Sequence, residues 1–101
     1  MPAGYSKEEA QKTIRGIAWS REGELVLTWH IEKESSPSRD FDFIDVLQVL
    51  RTGCVVSEPE YIAEYKNWKC RVVGRDMEGE ELTLVVAFDP DKGRLFIITG
   101  W

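Results

Sequence analysis

Chemistry in this 101-residue sequence would depend on its single histidine, His30, and on a group of basic residues. Lys69, Arg71 and Arg75 recur at even spacing in a β-rich run, and a strand would place all three on one face. A basic face can bind phosphate groups, and an imidazole can transfer protons near neutral pH. Arg39 lies in a polar segment and could add to the positive field. Phosphate binding with acid–base chemistry is therefore one candidate activity.

Each of these residue types also has a structural interpretation. A histidine at a strand end is commonly a hydrogen-bonded structural residue, and basic residues alternate with apolar ones in any half-exposed strand. Glu80 or Glu81 could pair with the basic residues across strands, which at a surface is worth less than about 1 kcal/mol. Tyr61, Tyr65 and Trp68 could stack on nucleic-acid bases, or they could complete the edge of a small core.

The acidic and sulfur-containing residues favour structural roles. Asp40 or Asp42 can cap a helix N-terminus, and Asp45 would lie near the positive end of the same helix dipole. Cys54 and Cys70 are expected to be reduced core residues. Two cysteines and one histidine without a close Cys-x-x-Cys pair predict no metal site, and the sequence contains no cofactor-binding motif.

Length and charge limit the function classes. The chain is long enough for one domain, expected to span residues 1–101. Its 13 basic and 18 acidic side chains give a net charge of −5, which counts against a general nucleic-acid binder. A local basic patch, or a partner with a basic face, is compatible with that charge. No apolar run approaches the roughly 20 residues that span a bilayer, and the first residues lack a secretory signal, so we expect a cytoplasmic protein without membrane contact.

Two amphipathic helices are predicted. The Ser-x-x-Glu spacing at residues 6–9 is typical of a capping box, and the following apolar periodicity predicts a helix from about Lys7 to Trp19 or Arg21. Gly53 is placed to end a second helix. The apolar stripe of that second helix consists of Phe43, Val46, Leu47 and Leu50.

One strand and two loops are predicted in the segments that separate the two helices from each other and from the C-terminal half. A strand from Leu25 to Ile31 would place His30 on the same face as Val26. Residues 32–40 are polar and predict an exposed loop. Residues 57–66 also predict a loop, with room for one helical turn.

The segment from Asn67 to Trp101 predicts three antiparallel strands joined by two glycine-containing turns. Cys54–Val56 predicts a short strand or an extended link. Large apolar residues alternate with smaller or more polar ones, so that one face of the sheet is apolar. We therefore expect an α+β fold, in which two helices pack on one face of a twisted antiparallel sheet of about four strands. The second face would remain partly open.

Several short motifs follow one another in a recognisable order: a strand with a histidine, a helix ending in glycine, a Glu-Pro link, an Arg-Val-x-Gly strand, an Asp-x-x-Gly turn and a closing Ile-Thr. The residues concerned are His30, Val46, Leu50, Gly53, Glu58, Pro59, Arg71, Val72, Gly74, Asp76, Gly79, Leu82, Ile98 and Thr99. This order resembles the bacterial family known as domain of unknown function 4258, which is grouped with RelE- and BrnT-type toxins. The resemblance covers roughly residues 25–101 and implies a RelE-like fold.

The resemblance also implies RNA cleavage of the RelE type. In that chemistry, basic residues neutralise the scissile phosphate while another group moves a proton near the 2′-hydroxyl or the leaving oxygen. The chain departs from the family pattern after His30, since Glu34 stands where the family carries an arginine and one extra residue precedes Arg39. The resemblance implies His30, Arg39 and Arg71 as catalytic residues. Lys69, Arg75 and Tyr65 are the candidates for RNA binding on the grounds of charge and aromatic type given above.

Two function hypotheses remain after this comparison. The first is a RelE-type endoribonuclease, active or catalytically degenerate, that acts on RNA and pairs with a separately encoded antitoxin protein. The second is a non-catalytic interaction module that binds a protein through the open sheet face or an edge strand. The sequence does not separate the two.

Overall fold

Two helices cover one face of a six-stranded mixed sheet in residues 4–27 and 42–100, the part of the chain that this computed structural model describes. The fold is therefore α+β, as predicted. In chain order the elements are α1 (Lys7–Trp19), β1 (Glu24–Leu27), α2 (Phe43–Thr52), β2 (Cys54–Val55), β3 (Glu60–Ile62), β4 (Asn67–Arg75), β5 (Glu81–Asp89) and β6 (Arg94–Gly100).

Both helices begin with a reciprocal capping arrangement. In α1 the Ser6 hydroxyl accepts a bond from the Glu9 N–H, and the Glu9 carboxylate accepts one from the Ser6 N–H, each at 3.1 Å. In α2, Asp42, one of the two predicted caps, makes the same exchange with Asp45. These bonds satisfy N–H groups that have no partner within the helix. The capping prediction is confirmed, as is the end of α2 at Gly53.

The apolar stripes of the helices match the prediction except at two positions of α2. Ala10, Ile14 and Ala18 of α1 are buried. Phe43 is exposed because it is the first residue of α2, while Val49, which was not in the predicted stripe, is fully buried. Within the described ranges, no helix is long and apolar enough to cross a membrane.

Two arginines join the C-terminal turns of the helices. Arg15 Nη2 donates to the Gly53 carbonyl at 2.9 Å, and Arg51 Nε donates to the Ala18 carbonyl at 3.1 Å. The Arg51 guanidinium also lies 4.3 Å from the centre of the Trp19 ring. Each helix thus supplies a cation to carbonyls at the end of the other, where the helix dipole favours positive charge.

The sheet has the strand order β1-β6-β5-β4-β2, and β3 also pairs with β4. All pairs are antiparallel except β1 and β6, which run in the same direction. The prediction of about four antiparallel strands is therefore wrong in number and in type. The first strand, β1, lies beside the last strand, β6. Nothing in the local residue pattern of β1 indicates that β6 is its partner or that the two strands run in the same direction.

The segment 57–66, predicted as a loop, contains the strand Glu60–Ile62. In it, Glu60 pairs with Lys69 and Ile62 pairs with Asn67. The strand is three residues long, too short for alternation to reveal it from the sequence. It forms a hairpin with β4.

Glycines in the left-handed region close the two long hairpins. Gly79 has a φ of 83° and Gly93 a φ of 63°, conformations that glycine adopts without steric cost. In the first turn, Asp76 Oδ1 accepts bonds from the Glu78 and Glu80 N–H groups, both at 2.9 Å. Asp76 therefore organises the turn, and its place in the Asp-x-x-Gly motif has a structural reason.

The core lies between the helices and one face of the sheet. Alternate residues of β4, β5 and β6 point into it, among them the buried Trp68, Val72, Leu84, Phe88 and Ile97. The residues between them point the other way. We call this second surface the open face; it includes Lys69, Arg71, Val73, Thr83, Val85, Ala87 and Phe96.

The two cysteines lie in different environments. Cys70 is buried in the core, and burial raises the pKa of its thiol from 9.0 to about 12. Cys54 is exposed, so its prediction as a core residue is wrong. It pairs with Val73 on the short strand β2, and this register turns it toward the open face.

A thiol-labelling experiment should separate these cysteines. In native protein at pH 8 we expect a disulfide reagent to modify Cys54 rapidly, and Cys70 only at the rate of unfolding, because the thiolate is the reactive form and the raised pKa suppresses it. Labelling would be followed by absorbance and mass spectrometry. Cys54→Ser should show no fast phase; a fast phase in that variant would mean that Cys70 is accessible.

Candidate functional site

Strand β4 carries three basic side chains on the open face. Lys69, Arg71 and Arg75 alternate with buried core residues, as the sequence predicts. Neighbouring side chains on one face of a strand are about 7 Å apart, so Lys69 and Arg71 lie side by side. Val73 separates them from Arg75. The basic stripe is therefore interrupted.

Arg75, the last residue of β4, binds the hairpin turn that follows it. Its Nη1 donates to the Gly79 carbonyl at 2.9 Å, across the turn between β4 and β5. It also lies opposite Glu81 in the register of the two strands. The structure therefore separates Arg75 from Lys69 and Arg71 and gives it a structural contact.

Arg71 is held by its backbone, and its side chain remains exposed. Its N–H donates to the Ser57 hydroxyl at 2.9 Å, and its carbonyl accepts from the Val56 N–H at 3.0 Å. These bonds satisfy the backbone N–H and carbonyl of Arg71 at the edge of β4, between the part of the strand that pairs with β3 and the part that pairs with β2. The Arg71 guanidinium can therefore bind a ligand on the open face, because the backbone that carries it is held in place.

A depression of about 540 Å³ lies on the open face beside Lys69. Apolar side chains and charged or polar ones both contribute to it. Its apolar members are Ile62, Ala87, Phe96 and Ile98, and its polar members are Tyr65, Asn67, Lys69, Asp89, Lys92 and Arg94. We call it the open-face depression.

Strand register explains how these residues meet. Glu60, Lys69, Ala87, Phe96 and Val26 are successive partners across five neighbouring strands. The small Ala87 stands between the larger Lys69 and Phe96 and is buried, which leaves the surface concave at this point. The depression is therefore a consequence of one small residue in a row of larger ones.

The charge of the depression is opposite to that of the whole chain. Three cations, Lys69, Lys92 and Arg94, line it together with one carboxylate, Asp89. Arg94 Nε lies 2.8 Å from the carboxylate of Glu24, and Asp89 Oδ1 accepts a bond from the Lys92 N–H at 3.3 Å. When Glu24 is counted beside Arg94, the depression keeps an excess of one positive charge, in a chain of net charge −5, and this sign favours an anionic ligand.

The aromatic residues near the depression divide between surface and core. Tyr65 is 67% exposed, and its N–H donates to the Ile62 carbonyl in the turn after β3. The structure brings it to the same depression as Lys69. Tyr61 and Trp68 instead pack against each other with ring centres 5.1 Å apart, on the core side. Of the three aromatic candidates, only Tyr65 is placed to stack on a ligand.

Sequence reasoning missed eight of the ten residues that line the depression, three of which carry much of its charge and apolar surface. Lys92, Arg94 and Phe96 come from the turn before β6 and from β6 itself. A signal was present, because Leu95 and Ile97 are strongly apolar and alternation places Arg94 and Phe96 on the opposite face. Their meeting with Lys69 depends on the register of three strands.

His30 and Arg39, the other predicted catalytic residues, lie outside the described residues, and their roles stay predictions. Strand alternation predicts that His30 lies on the same face as Val26, and the structure describes Val26. Val26 pairs with Phe96 and lies on the open face.

Comparison with known proteins identifies the family. The sequence model of the family described as Domain of unknown function (DUF4258) matches residues 27–99, well over half of the chain. The chain belongs to the DUF4258 family. No curated protein and no solved structure matches it significantly.

The DUF4258 match includes the whole open-face depression, whose lining runs from Ile62 to Ile98. Helix α1 lies outside the matched span. Within the span, Gly53 and Gly74 meet where α2 passes close to β4, and Asp76 and Gly79 form the hairpin turn. These motif residues build the scaffold of the domain, whereas Arg71 projects from it.

Proposed function

We propose that this DUF4258 protein binds single-stranded RNA on its open face and cleaves it as a RelE-type toxin-like endoribonuclease. The observation that carries the proposal is the open-face depression. There, three basic side chains surround an apolar floor and an exposed tyrosine, in a chain whose net charge is −5. Cations for phosphate beside an aromatic surface for a base are the usual components of single-strand binding.

The two kinds of side chain have separate tasks in this proposal. Lys69 and Lys92 attract the phosphates, while Arg94 is held beside Glu24 at the rim; the attraction is independent of RNA sequence. Tyr65 stacks on a base, a contact worth about 1–3 kcal/mol. Arg71, next to Lys69 on β4, extends the positive surface beyond the depression.

The proposed reaction is attack of a ribose 2′-oxygen on the adjacent phosphorus. The bond from phosphorus to the 5′-oxygen breaks, a base takes the 2′-hydroxyl proton, and the 5′-oxygen leaves as an alcohol after gaining a proton. Lys69 and Arg71 neutralise the charge on the phosphate oxygens, and His30 is the proposed proton-transfer residue. The partner expected for such an enzyme is a separately encoded antitoxin that blocks this face.

One experiment with two readouts tests this function. For a fluorescent single-stranded RNA, we expect Lys69→Glu to weaken binding about tenfold and to reduce the salt dependence of binding. Cleavage of the same RNA, followed on a gel, should slow at least about tenfold in His30→Ala and in Arg71→Ala.

The matched control is Lys7→Glu, which makes the same charge change on α1, on the other side of the sheet. Equal loss of affinity in Lys7→Glu and Lys69→Glu would mean that net charge alone governs binding. Cleavage at the wild-type rate in both His30→Ala and Arg71→Ala would remove these residues from the mechanism.

One observation favours a second function, a non-catalytic protein-interaction module. The floor of the depression is formed by Ile62, Phe96 and Ile98, which are only partly buried and could receive an apolar side chain of a protein partner. This function predicts no RNA binding. It also predicts that Phe96→Asp abolishes capture of a protein that the wild-type chain binds.

A further inference from the structure

We propose that RNA bound in the open-face depression continues over the β5–β6 turn onto α1, where Lys12 and Lys92 bind its phosphates. The inference rests on the proposed RNA binding and extends it. It specifies an elongated single strand as the ligand and assigns a second contact region on the helical side of the domain.

A second depression, of about 490 Å³, lies between α1 and the β5–β6 turn. We call it the helix-side depression. Its lining includes Lys12, Thr13, Gly16, Ser20, Glu22 and Lys92.

Lys92 connects the two depressions, because it lines both of them. The turn that carries it is held from two directions. The Lys92 N–H donates to Asp89 Oδ1 at 3.3 Å, and the Gly93 carbonyl accepts from the Glu24 N–H at 3.0 Å. A ligand leaving the open-face depression past Lys92 therefore reaches the helix-side depression over a fixed turn.

The two depressions differ in the part of a nucleic acid that they suit. The open-face depression has apolar and aromatic side chains, which match a base. Among the described residues of the helix-side depression there is no aromatic side chain; it offers the hydroxyls of Thr13 and Ser20 and the cations Lys12 and Lys92. Hydroxyl and ammonium groups are the usual donors to phosphate and sugar, so contacts here should not depend on base identity.

The shape of α1 at this point permits close approach. Gly16 is exposed, and a Cβ placed on it would meet nothing within 4 Å. A phosphate can therefore approach the helix surface between Lys12 and Ser20. Only one carboxylate, Glu22, lies in the described lining against the two lysines.

This second contact region is a property of this chain rather than of the family match. The match covers residues 27–99, and α1 precedes it. The β5–β6 turn, by contrast, lies inside the match. The path therefore begins on the family domain and ends on a helix that the match does not include.

Length-dependent binding tests the path. Fluorescence anisotropy would be measured with uridine oligomers of about 4 and about 12 nucleotides, two lengths within the range of common single-strand sites. We expect Lys12→Glu to weaken binding of the longer oligomer about fivefold and to leave the shorter one unchanged, because only the longer strand reaches α1. Lys69→Glu should weaken both lengths.

The control Lys7→Glu makes the same charge change on the same helix, outside the helix-side depression. It should affect neither length, and circular dichroism should show both α1 variants folded. Equal effects of Lys12→Glu and Lys7→Glu on the longer oligomer, or no effect of Lys12→Glu while Lys69→Glu still weakens binding, would overturn the path and leave the open-face site intact. Failure of the wild-type protein to bind either oligomer would overturn the proposed function itself.

Discussion

Phe88→Ala is expected to lower the free energy of unfolding by about 3–5 kcal/mol. Phe88 is fully buried in β5, and the Tyr5 ring packs edge-on against it with ring centres 5.3 Å apart. Truncation removes this buried apolar surface and leaves a cavity that surrounding elements close only in part. Domains of this size are stable by about 5–15 kcal/mol, so the substitution would remove a large share of the total.

Urea denaturation followed by circular dichroism measures this loss, with Phe43→Ala as the matched control. The control deletes the same atoms from a side chain that is 44% exposed at the start of α2. We expect it to change the free energy of unfolding by less than about 1 kcal/mol. Similar losses in the two variants would contradict the assignment of Phe88 to the centre of the core.

The same aromatic packing positions the candidate site. Tyr5 also contacts Trp68 at 5.1 Å between ring centres, and Trp68 contacts Tyr61 at the same distance. These core-side rings fix the hairpin of β3 and β4, whose other side presents Lys69 and whose turn carries Tyr65. Stability of the core and geometry of the open face are therefore coupled through one hairpin.

The elements that sequence reasoning predicted correctly are those with local signals. The helix α1 is marked by the capping residues Ser6 and Glu9 and by an apolar period of 3.6 residues, all within 13 positions. The strands β4, β5 and β6 are long enough for alternation to be visible, and glycine marks the turn after each of the first two. Local chemistry decides these features, so a single sequence contains them.

Partner choice between distant segments could not be predicted in the same way. β1 pairs in parallel with β6, about 70 residues later, and β3 is recognisable only through its pairing with β4. Cys54 shows the same limit on a smaller scale: its residue type favours burial, but its register with Val73 exposes it. Tertiary context overrides local preference at these positions.

The candidate site combines both situations. Residue type alone was enough to predict Lys69 and Tyr65 as site residues. The structure shows that they share a depression with Lys92 and Arg94, which belong to no motif in the sequence. Arg75 lies on the predicted face of β4, but it binds the hairpin turn and does not line the depression. Strand alternation predicts which face a side chain occupies, and only the register predicts its neighbours.

A second large loss of stability is expected where α2 crosses β4. Gly53 ends α2, and its N–H donates to the Val49 carbonyl at 2.7 Å while its own carbonyl accepts from Arg15. A Cβ at this position would lie 2.6 Å from the Val49 oxygen and 2.7 Å from the Val73 oxygen, both backbone atoms. The φ of Gly53 is −77°, which any residue can adopt, so the requirement for glycine is one of space.

Gly53→Ala should therefore lower the free energy of unfolding by about 2–3 kcal/mol, since neither carbonyl can move without disturbing α2 or β4. Gly16→Ala in α1 is the matched control: its Cβ meets open space, and the higher helix propensity of alanine should raise the free energy of unfolding by up to about 1 kcal/mol. Urea denaturation of both variants gives the comparison, and opposite signs are expected. An unchanged free energy of unfolding in Gly53→Ala would mean that α2 stands farther from β4 than the structure shows.

Because this crossing holds the segment of β4 that presents Arg71, the same variant should also weaken RNA binding if the open face is the site.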